Sequence, residues 1–213
     1  MRRGVRLAAP LVPAAAALGA SFGVLARTAH FGTLAAVLMS ATTFAGSAQV
    51  AAVSVLGTGG GVAAAVTAAL LLNARYAPIG ISVAHGFHGN AGRRLAESQL
   101  VVDESWALSG GGTPRFDRLV LLGAGMTIWF AWVGGTAAGA LLGRVIGDPS
   151  VFGLDGAFAA LFLALLASQL DDRRRIAAAV AGASIAALLT PVAAPGLPIV
   201  AATAAVLLGW RRR

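Results

Sequence analysis

The sequence predicts an all-α integral membrane protein, a polytopic bundle of six to seven apolar segments of which one is broken or re-entrant. Hydrophobic residues make up 58% of the 213 positions and charged residues only 11%, whereas a soluble domain carries about 25% charged residues. So few charges cannot cover a soluble surface of this size, so lipid must solvate much of the chain. The 16 basic residues are all Arg and cluster between apolar stretches, as topology-setting loop charges do.

Seven apolar segments approach or reach the roughly 20 residues that a membrane span requires. They lie at residues 7–26, 33–56, 62–83, 119–143, 154–170, 176–194 and 196–210. We interpret residues 1–213 as one transmembrane domain, in which a polar interfacial region at 84–118 separates two groups of spans. Within that region, residues 93–109 predict a short amphipathic helix at the membrane interface.

The Arg clusters constrain the topology. Three full spans between Arg6 and Arg93 would place these two clusters on opposite sides of the membrane, against the preference of Arg for the cytoplasm. A break in the segment 33–56 removes the conflict, because its middle is rich in small and hydroxyl residues that suit irregular backbone lining a cavity. This predicts six spans plus a broken segment with both termini in the cytoplasm; seven plain spans are the alternative.

Residues 39–49 of the broken segment, MSATTFAGSAQ, resemble the signature of the AzlC family, the large subunits of AzlC/AzlD-type branched-chain amino acid exporters. Weaker matches follow in the family's order over about residues 15–170. They are Leu72-Asn73-Ala74-Arg75-Tyr76, Asp103-Glu104-Ser105-Trp106-Ala107, the series Trp132, Thr136, Gly139 and Gly143, and Gly153-Leu154-Asp155.

The resemblance implies a secondary transporter in the bacterial cytoplasmic membrane that works with a small AzlD-like membrane subunit. Its implied substrates are Leu, Ile and Val, with Met handled by some members. The resemblance implies neither an enzyme nor a cofactor, and no nucleic acid is an expected partner, because the basic residues do not form one patch on a soluble surface.

Polar side chains within the apolar segments are the candidates for substrate binding. Hydroxyl and amide groups supply donors and acceptors for an ammonium and a carboxylate, and the guanidinium fork suits a carboxylate. The candidates are Ser40, Thr43, Ser47, Gln49, Asn73 and Arg75. Each group of candidates has an alternative interpretation. The small residues of 40–49 could serve close helix packing instead of substrate binding. The helix could end before Pro78, so that Arg75 anchors at the lipid headgroups.

Asp103 and Glu104 are the only adjacent carboxylates in the polar region. They are candidates for carrying a coupling proton, or for a gating salt bridge with Arg93 or Arg94. The alternative is a solvated loop pair.

Glycines at four-residue spacing predict close helix contact, either within the chain or with the small subunit. They are Gly19 and Gly23 in the first segment and Gly135, Gly139 and Gly143 in the fourth.

Two competing functions follow from the same residues. Residues 19–23, Gly-Ala-Ser-Phe-Gly, match the G-x-S-x-G pattern of hydrolases. The first alternative function is therefore an intramembrane serine hydrolase with Ser21 as nucleophile and His85 or His88 as base. A transporter of another small metabolite is the second alternative. No metal site is expected, because there is no Cys and two His are too few ligands.

Overall fold

The computed structural model describes residues 1–57, 59–110, 116–146 and 172–192, with isolated positions at Leu163, Leu166, Ala167, Leu170, Ala201, Ala202 and Ala205. All regular secondary structure in this part of the chain is helical, which confirms the predicted all-α class. The helices are α1 (Arg2–Ala8), α2 (Val12–Thr28), α3 (Thr33–Thr43), α4 (Gly46–Gly57), α5 (Val62–Asn73), α6 (Tyr76–Val83), α7 (Ala91–Ser98), α8 (Asp103–Leu108), α9 (Arg118–Ile146) and α10 (Arg173–Leu189).

Two helical stretches are long and apolar enough to cross a membrane. One is Arg2–Thr28, in which a 3₁₀ turn joins α1 to α2; the other is Arg118–Leu142 of α9. A third candidate is the pair α5 and α6, which bend by 44° at their junction. The described residues therefore contain two candidate spans, or three with the bent pair, and the predicted six to seven segments are not confirmed. Most of the predicted segments 154–170 and 196–210, with Asp155, lies outside the described residues.

The first long stretch contains two prolines that do not interrupt it. Pro10 and Pro13 occupy first-turn positions of the 3₁₀ turn and of α2. A first-turn residue needs no N–H for the helical ladder, and the fixed φ of proline suits that position. The stretch consequently continues as one apolar unit from Arg2 to Thr28.

α9 is the central helix and packs against α1, α2, α3 and α8. It runs parallel to α2, since the contacts ascend together along both helices. Four glycines meet backbone carbonyls of the opposite helix: Gly19 on Trp132, Gly23 on Thr136, Gly135 on Ala16 and Gly139 on Ala20. A Cβ atom at any of these glycines would lie 2.0–2.3 Å from the carbonyl oxygen. The glycine stripe of α9 thus faces α2; the surroundings of Gly143 lie outside the described residues.

The structure contains a break within the segment 33–56. α3 ends at Thr43, Phe44 adopts a left-handed conformation with φ of 42°, and α4 begins at Gly46. Side chains cap the carbonyls left open at the end of α3. Trp129 Nε1 donates to the Ala41 oxygen at 3.0 Å, and Gln99 Nε2 donates to the Thr42 oxygen at 2.7 Å. A helix end in apolar surroundings needs such partners, so α9 and the residue that caps the end of α7 stabilise the break.

A second break divides the predicted segment 62–83. α5 ends at Asn73 and α6 begins at Tyr76. Pro78 lies in the first turn of α6, where its missing N–H costs nothing; in a continuous helix it would leave the Ala74 carbonyl without its partner. The chain therefore bends immediately before the proline and places Arg75 at the junction.

The single amphipathic helix predicted over 93–109 is wrong. Two helices, α7 and α8, take its place, and the chain turns inward between them so that Leu100 and Val102 are buried. The Ser105 hydroxyl oxygen accepts the Val102 backbone N–H at 3.0 Å and fixes the start of α8. α8 consequently packs against α1 and α9, and its first turn carries Asp103 and Glu104.

Candidate functional site

A pocket lies where the two helix breaks meet the start of α8. Its empty volume is about 510 Å³, including the space at its open side. The apolar wall includes Leu11, Ala15, Leu18, Phe44, Ile128 and Trp132. The polar wall consists of Ser47, Arg75, Tyr76, Asp103 and Glu104. Such a mixture of an apolar wall and a few convergent polar groups is typical of small-molecule sites.

An ion pair between Arg75 and Asp103 dominates the polar wall. Arg75 Nη2 lies 3.1 Å from Asp103 Oδ2, and each side chain is 20% exposed. The same nitrogen donates to Ser47 Oγ at 3.0 Å, and the Tyr76 hydroxyl donates to Asp103 Oδ2 at 3.2 Å. These bonds join the start of α4, the α5–α6 junction and the start of α8. A change at the ion pair therefore alters contacts of both interrupted segments, α3–α4 and α5–α6.

The partner of Asp103 differs from the one that the sequence suggested. Arg93 Nε donates to Glu97 Oε1 at 2.8 Å within α7. Arg118 of α9 binds both carboxylate oxygens of Glu97. The hydrogen bonds from Arg118 and Arg93 hold the pKa of Glu97 below its usual range. Arg93 is thus engaged with Glu97, while Arg75, 28 positions before Asp103 in the chain, supplies the salt bridge at the pocket.

Glu104 is the second carboxylate of the pocket. Its side chain is half-buried, and among the described residues it forms no ion pair. Burial raises the pKa of Glu104 to about 7, and the negative charge of Asp103 adds to the rise. The pocket therefore holds one guanidinium and two carboxylates, one of which changes its charge near neutral pH.

Behind the pocket, a buried hydrogen-bond network holds the broken segment to α9. Gln49 Nε2 donates to Ser40 Oγ at 3.0 Å, and Trp132 Nε1 donates to the same oxygen at 3.2 Å. Ser40 Oγ lies 2.8 Å from Thr136 Oγ1, and the Thr136 hydroxyl donates to the Trp132 carbonyl at 2.9 Å. Since the Thr136 proton is thereby used, Ser40 donates to Thr136. The Ser40 hydroxyl makes one donated and two accepted bonds, its full capacity.

The predicted substrate-binding residues thus fall into three groups. Ser47 and Arg75 line the pocket, as do Asp103 and Glu104. Ser40 and Gln49 are fully buried in the network behind it. Thr43 and Asn73 lie at the ends of α3 and α5, and Asn73 Oδ1 is buried without a hydrogen-bond partner among the described residues. The role of all of them in substrate binding stays a prediction.

The sequence placed Tyr76, Trp132 and Thr136 in the motifs that resemble the AzlC family, but it did not identify them as site residues. The structure places Tyr76 and Trp132 on the pocket wall and Thr136 in the buried network. One signal was available: Trp132 and Thr136 are four residues apart, so they share a helix face, and Thr136 is a polar residue inside an apolar segment.

The hydrolase alternative finds no matching geometry in the described residues. The Ser21 hydroxyl donates to the Ala17 carbonyl of its own helix at 3.1 Å. None of the described histidines hydrogen-bonds to it; His88 bonds to the Gly86 carbonyl, and the His85 ring contacts Phe116. A serine nucleophile needs a base within about 3 Å.

Apolar helices that are interrupted where they meet a charged pocket are typical of helical membrane transporters. Over residues 10–146 the chain matches the family model described as AzlC protein. It is also 31% identical to an uncharacterized membrane protein of Archaeoglobus fulgidus, over 98% of this chain and 94% of that one. No solved structure matches the chain. The chain belongs to the AzlC family and is a membrane transporter.

Proposed function

We propose that this protein exports the branched-chain amino acids Leu, Ile and Val across the bacterial cytoplasmic membrane, with Met as a further candidate substrate. It acts as the large subunit beside a small AzlD-like membrane protein, with its N-terminus in the cytoplasm. The observation that carries the substrate proposal is the pocket, in which Arg75 and two carboxylates face an apolar wall. A zwitterion with an apolar side chain needs a cation for its carboxylate, an anion for its ammonium and an apolar surface for its side chain.

The carboxylate of the substrate binds Arg75. The planar guanidinium offers several N–H donors in a fork that matches a carboxylate. Ser47, already 3.0 Å from this guanidinium, adds a hydroxyl donor. Ser47 also lies in the first turn of α4, where backbone N–H groups favour negative charge. One side of the pocket thus offers the substrate carboxylate the positive charge and fork of the Arg75 guanidinium and the N-terminus of α4.

The ammonium of the substrate binds the carboxylates of Asp103 and Glu104. In the structure Asp103 is paired with Arg75, so the zwitterion replaces one internal ion pair by two ion pairs of its own. The exchange keeps Arg75 and Asp103 each paired with an opposite charge, which matters because an unpaired charge in half-buried surroundings is costly. Release of the substrate reforms the ion pair between Arg75 and Asp103.

The branched side chain packs against the apolar wall, where Leu18, Phe44 and Ile128 lie. Burial of a Leu or Ile side chain contributes roughly 1.5–3 kcal/mol. Polar side chains such as those of Ser or Gln would lose their water without gaining hydrogen bonds from these three residues. The wall therefore selects apolar amino acids.

Transport follows from the position of the site at the two helix breaks. Interrupted helices commonly form the central site of secondary transporters, and alternating access arises when one bundle of helices rocks against another around that site. The network of Ser40, Gln49 and Thr136 fixes the α3–α4 break to α9. In this proposal the α5–α6 junction with Arg75 moves against that fixed part when the ion pair exchanges.

An efflux assay tests the proposal. Cells that express this chain, the small subunit, both or neither are loaded with dipeptides containing Leu, Ile, Val or Met. We expect faster appearance of Leu, Ile and Val outside only when both proteins are present, and its loss in Arg75→Gln. Arg94→Gln is the matched control, because Arg94 is exposed on α7 and outside the pocket. Unchanged efflux of all four amino acids, with both proteins in the membrane, would contradict the proposal and favour another small metabolite.

A further inference from the structure

Tyr76 contacts both members of the ion pair at the pocket. Its hydroxyl donates to Asp103 Oδ2 at 3.2 Å, and its ring centroid lies 5.2 Å from Arg75 Cζ, a distance at which a cation is attracted to an aromatic face. Arg75 Nη2 and Asp103 Oδ2 are 3.1 Å apart, which leaves no room for a substrate atom between them. Substrate groups that replace this ion pair must therefore separate the two residues, and Tyr76 cannot then keep both contacts.

α6, which begins at Tyr76, is joined to α8 near both of its ends. At the N-terminal end, the Tyr76 hydroxyl donates to Asp103. Near the C-terminal end, Trp106 Nε1 donates to Ser82 Oγ at 2.8 Å. α8 is itself held by packing against α1 and α9. Because the bond between Ser82 and Trp106 does not involve the ion pair, loss of the Tyr76 bond frees the start of α6 while its other end stays attached to α8.

A second cavity lies between α6 and α7, and Tyr76 belongs to its wall as well. Its empty volume is about 1030 Å³, including the space at its open side. α6 borders this cavity with Tyr76, Gly80 and Val83, whose spacing of four and three positions places them on one helix face. A Cβ atom at Gly80 would meet nothing within 4 Å among the described residues. The face of α6 that carries Tyr76 thus borders space into which it can move.

We infer that Tyr76 is the gating residue of the transport cycle: entry of the substrate's charged groups between Arg75 and Asp103 releases Tyr76, and the start of α6 moves into the second cavity. This inference rests on the proposed function and names the residue that couples substrate binding to the movement of α6. Arg75 and Asp103 bind the substrate, whereas Tyr76 acts through its contacts with these two residues. Departure of Tyr76 from the pocket wall opens the pocket toward α7. When the ion pair reforms after release of the substrate, both contacts of Tyr76 are restored.

Thiol labelling tests the predicted movement. The chain contains no Cys, so a single introduced thiol reports on one position. Ser98→Cys places it on the wall of the second cavity, and Ala96→Cys places it at an exposed position of the same helix outside that wall. The rate of reaction with N-ethylmaleimide is followed by mass spectrometry of this chain, purified with its small subunit, with and without L-leucine. We expect leucine to slow the labelling of Ser98→Cys severalfold and to leave that of Ala96→Cys unchanged.

Tyr76→Phe, combined with Ser98→Cys, tests the hydroxyl of Tyr76. Phenylalanine keeps the ring but cannot donate to Asp103, so α6 should enter the cavity without leucine. Ser98→Cys should then be labelled slowly under both conditions. Equilibrium binding of radiolabelled leucine should remain, because Arg75 and Asp103 are unchanged. A variant that binds leucine and still shows the full leucine-dependent change in labelling would overturn the inference.

Gly80→Leu tests the need for the cavity with a second variant. The leucine side chain would fill the space that α6 enters, so efflux should fall severalfold while equilibrium binding of leucine is retained. Gly134→Leu is the matched control, because a Cβ atom at this exposed position of α9 also meets nothing within 4 Å among the described residues. The control should keep both efflux and binding.

The outcomes separate the two proposals. Leucine binding without any change in the labelling of Ser98→Cys, or full efflux in Gly80→Leu, would overturn the gating role of Tyr76 and leave the substrate proposal standing. Absence of leucine binding from the unchanged protein would overturn both proposals.

Discussion

Ser40 Oγ and Thr136 Oγ1 lie 2.8 Å apart, and both side chains are fully buried. Their hydrogen bond joins the end of α3 to the middle of α9, 96 positions further along the chain. Together with the bonds from Gln49 and Trp132, it uses the whole hydrogen-bonding capacity of the Ser40 hydroxyl. Ser40 is thus the point at which the broken segment is fixed to the central helix.

Ser40→Ala should lower the stability of the folded protein. The substitution leaves the Gln49 amide and the Trp132 indole N–H without their acceptor in a buried site, and each unsatisfied group costs about 1–3 kcal/mol. The melting temperature in detergent measures the effect. Ser47→Ala is the control, because Ser47 is only partly buried. Equal melting temperatures for the two variants would contradict the anchoring role of Ser40.

Gly135→Ala should disrupt the contact between α2 and α9. A Cβ atom at Gly135 would lie 2.1 Å from the Ala16 carbonyl oxygen, so the two helices would have to move apart. Gly134→Ala is a matched control on the same helix, because a Cβ atom there meets nothing within 4 Å. Alanine is favoured over glycine in a helix by roughly 0.5–1 kcal/mol. The folded yield should fall for Gly135→Ala and hold or rise for Gly134→Ala; a reversed order would refute the packing assignment.

Arg75→Lys should retain part of the leucine efflux that Arg75→Gln loses. Lysine keeps the positive charge for Asp103 and for the substrate carboxylate but lacks the fork that makes two parallel hydrogen bonds. Hydrogen bonds to charged groups contribute about 1.5–3 kcal/mol, so we expect a reduction of about tenfold or more. Efflux rates at several internal leucine concentrations would show it. Equal rates for Lys and Gln at this position would mean that the charge of Arg75 is not used.

The cluster of Glu97 with Arg93 and Arg118 should lose its stabilising effect in acid. Hydrogen bonds from Arg118 and Arg93 lower the pKa of Glu97 from its ordinary value of 4.5. A lowered pKa in the folded state means that the stabilisation is present above the unfolded value and is lost as the pH falls through the folded value. The difference in melting temperature between the unchanged protein and Glu97→Gln should be positive at pH 7 and should decrease as the pH falls below the ordinary pKa of 4.5. A difference that does not decrease on acidification would contradict this.

The sequence predicted the features that depend on local composition. The small and hydroxyl residues of 40–49, together with the positions of the Arg clusters, indicated the break between α3 and α4. The four-residue glycine spacing indicated a close-packing face, and this face meets α2. Pro78 marked the α5–α6 junction. The effects of the glycine spacing and of the proline lie within one turn of helix, so the local sequence reveals them.

Features that depend on distant residues were not predictable in the same way. Nothing in the spacing of Ser40 indicates that its partners lie in α9, and nothing in the spacing of Asp103 selects Arg75 over Arg93. Residues 93–109 have the sequence pattern of one amphipathic helix. The chain instead turns inward between α7 and α8, because the side chains of Leu100 and Val102 are buried there. Tertiary contacts override local preference at such places.

In the proposed function, the pocket binds branched-chain amino acids through Arg75 and its facing carboxylates. Equilibrium binding of radiolabelled L-leucine to the purified full chain and its small subunit, with unlabelled competitors, tests it most directly. We expect saturable binding that Ile and Val displace, that Glu and Lys do not displace, and that Arg75→Gln abolishes while Arg94→Gln leaves it unchanged. Displacement by Glu or Lys as effective as by Val, or full binding in Arg75→Gln, would contradict the account.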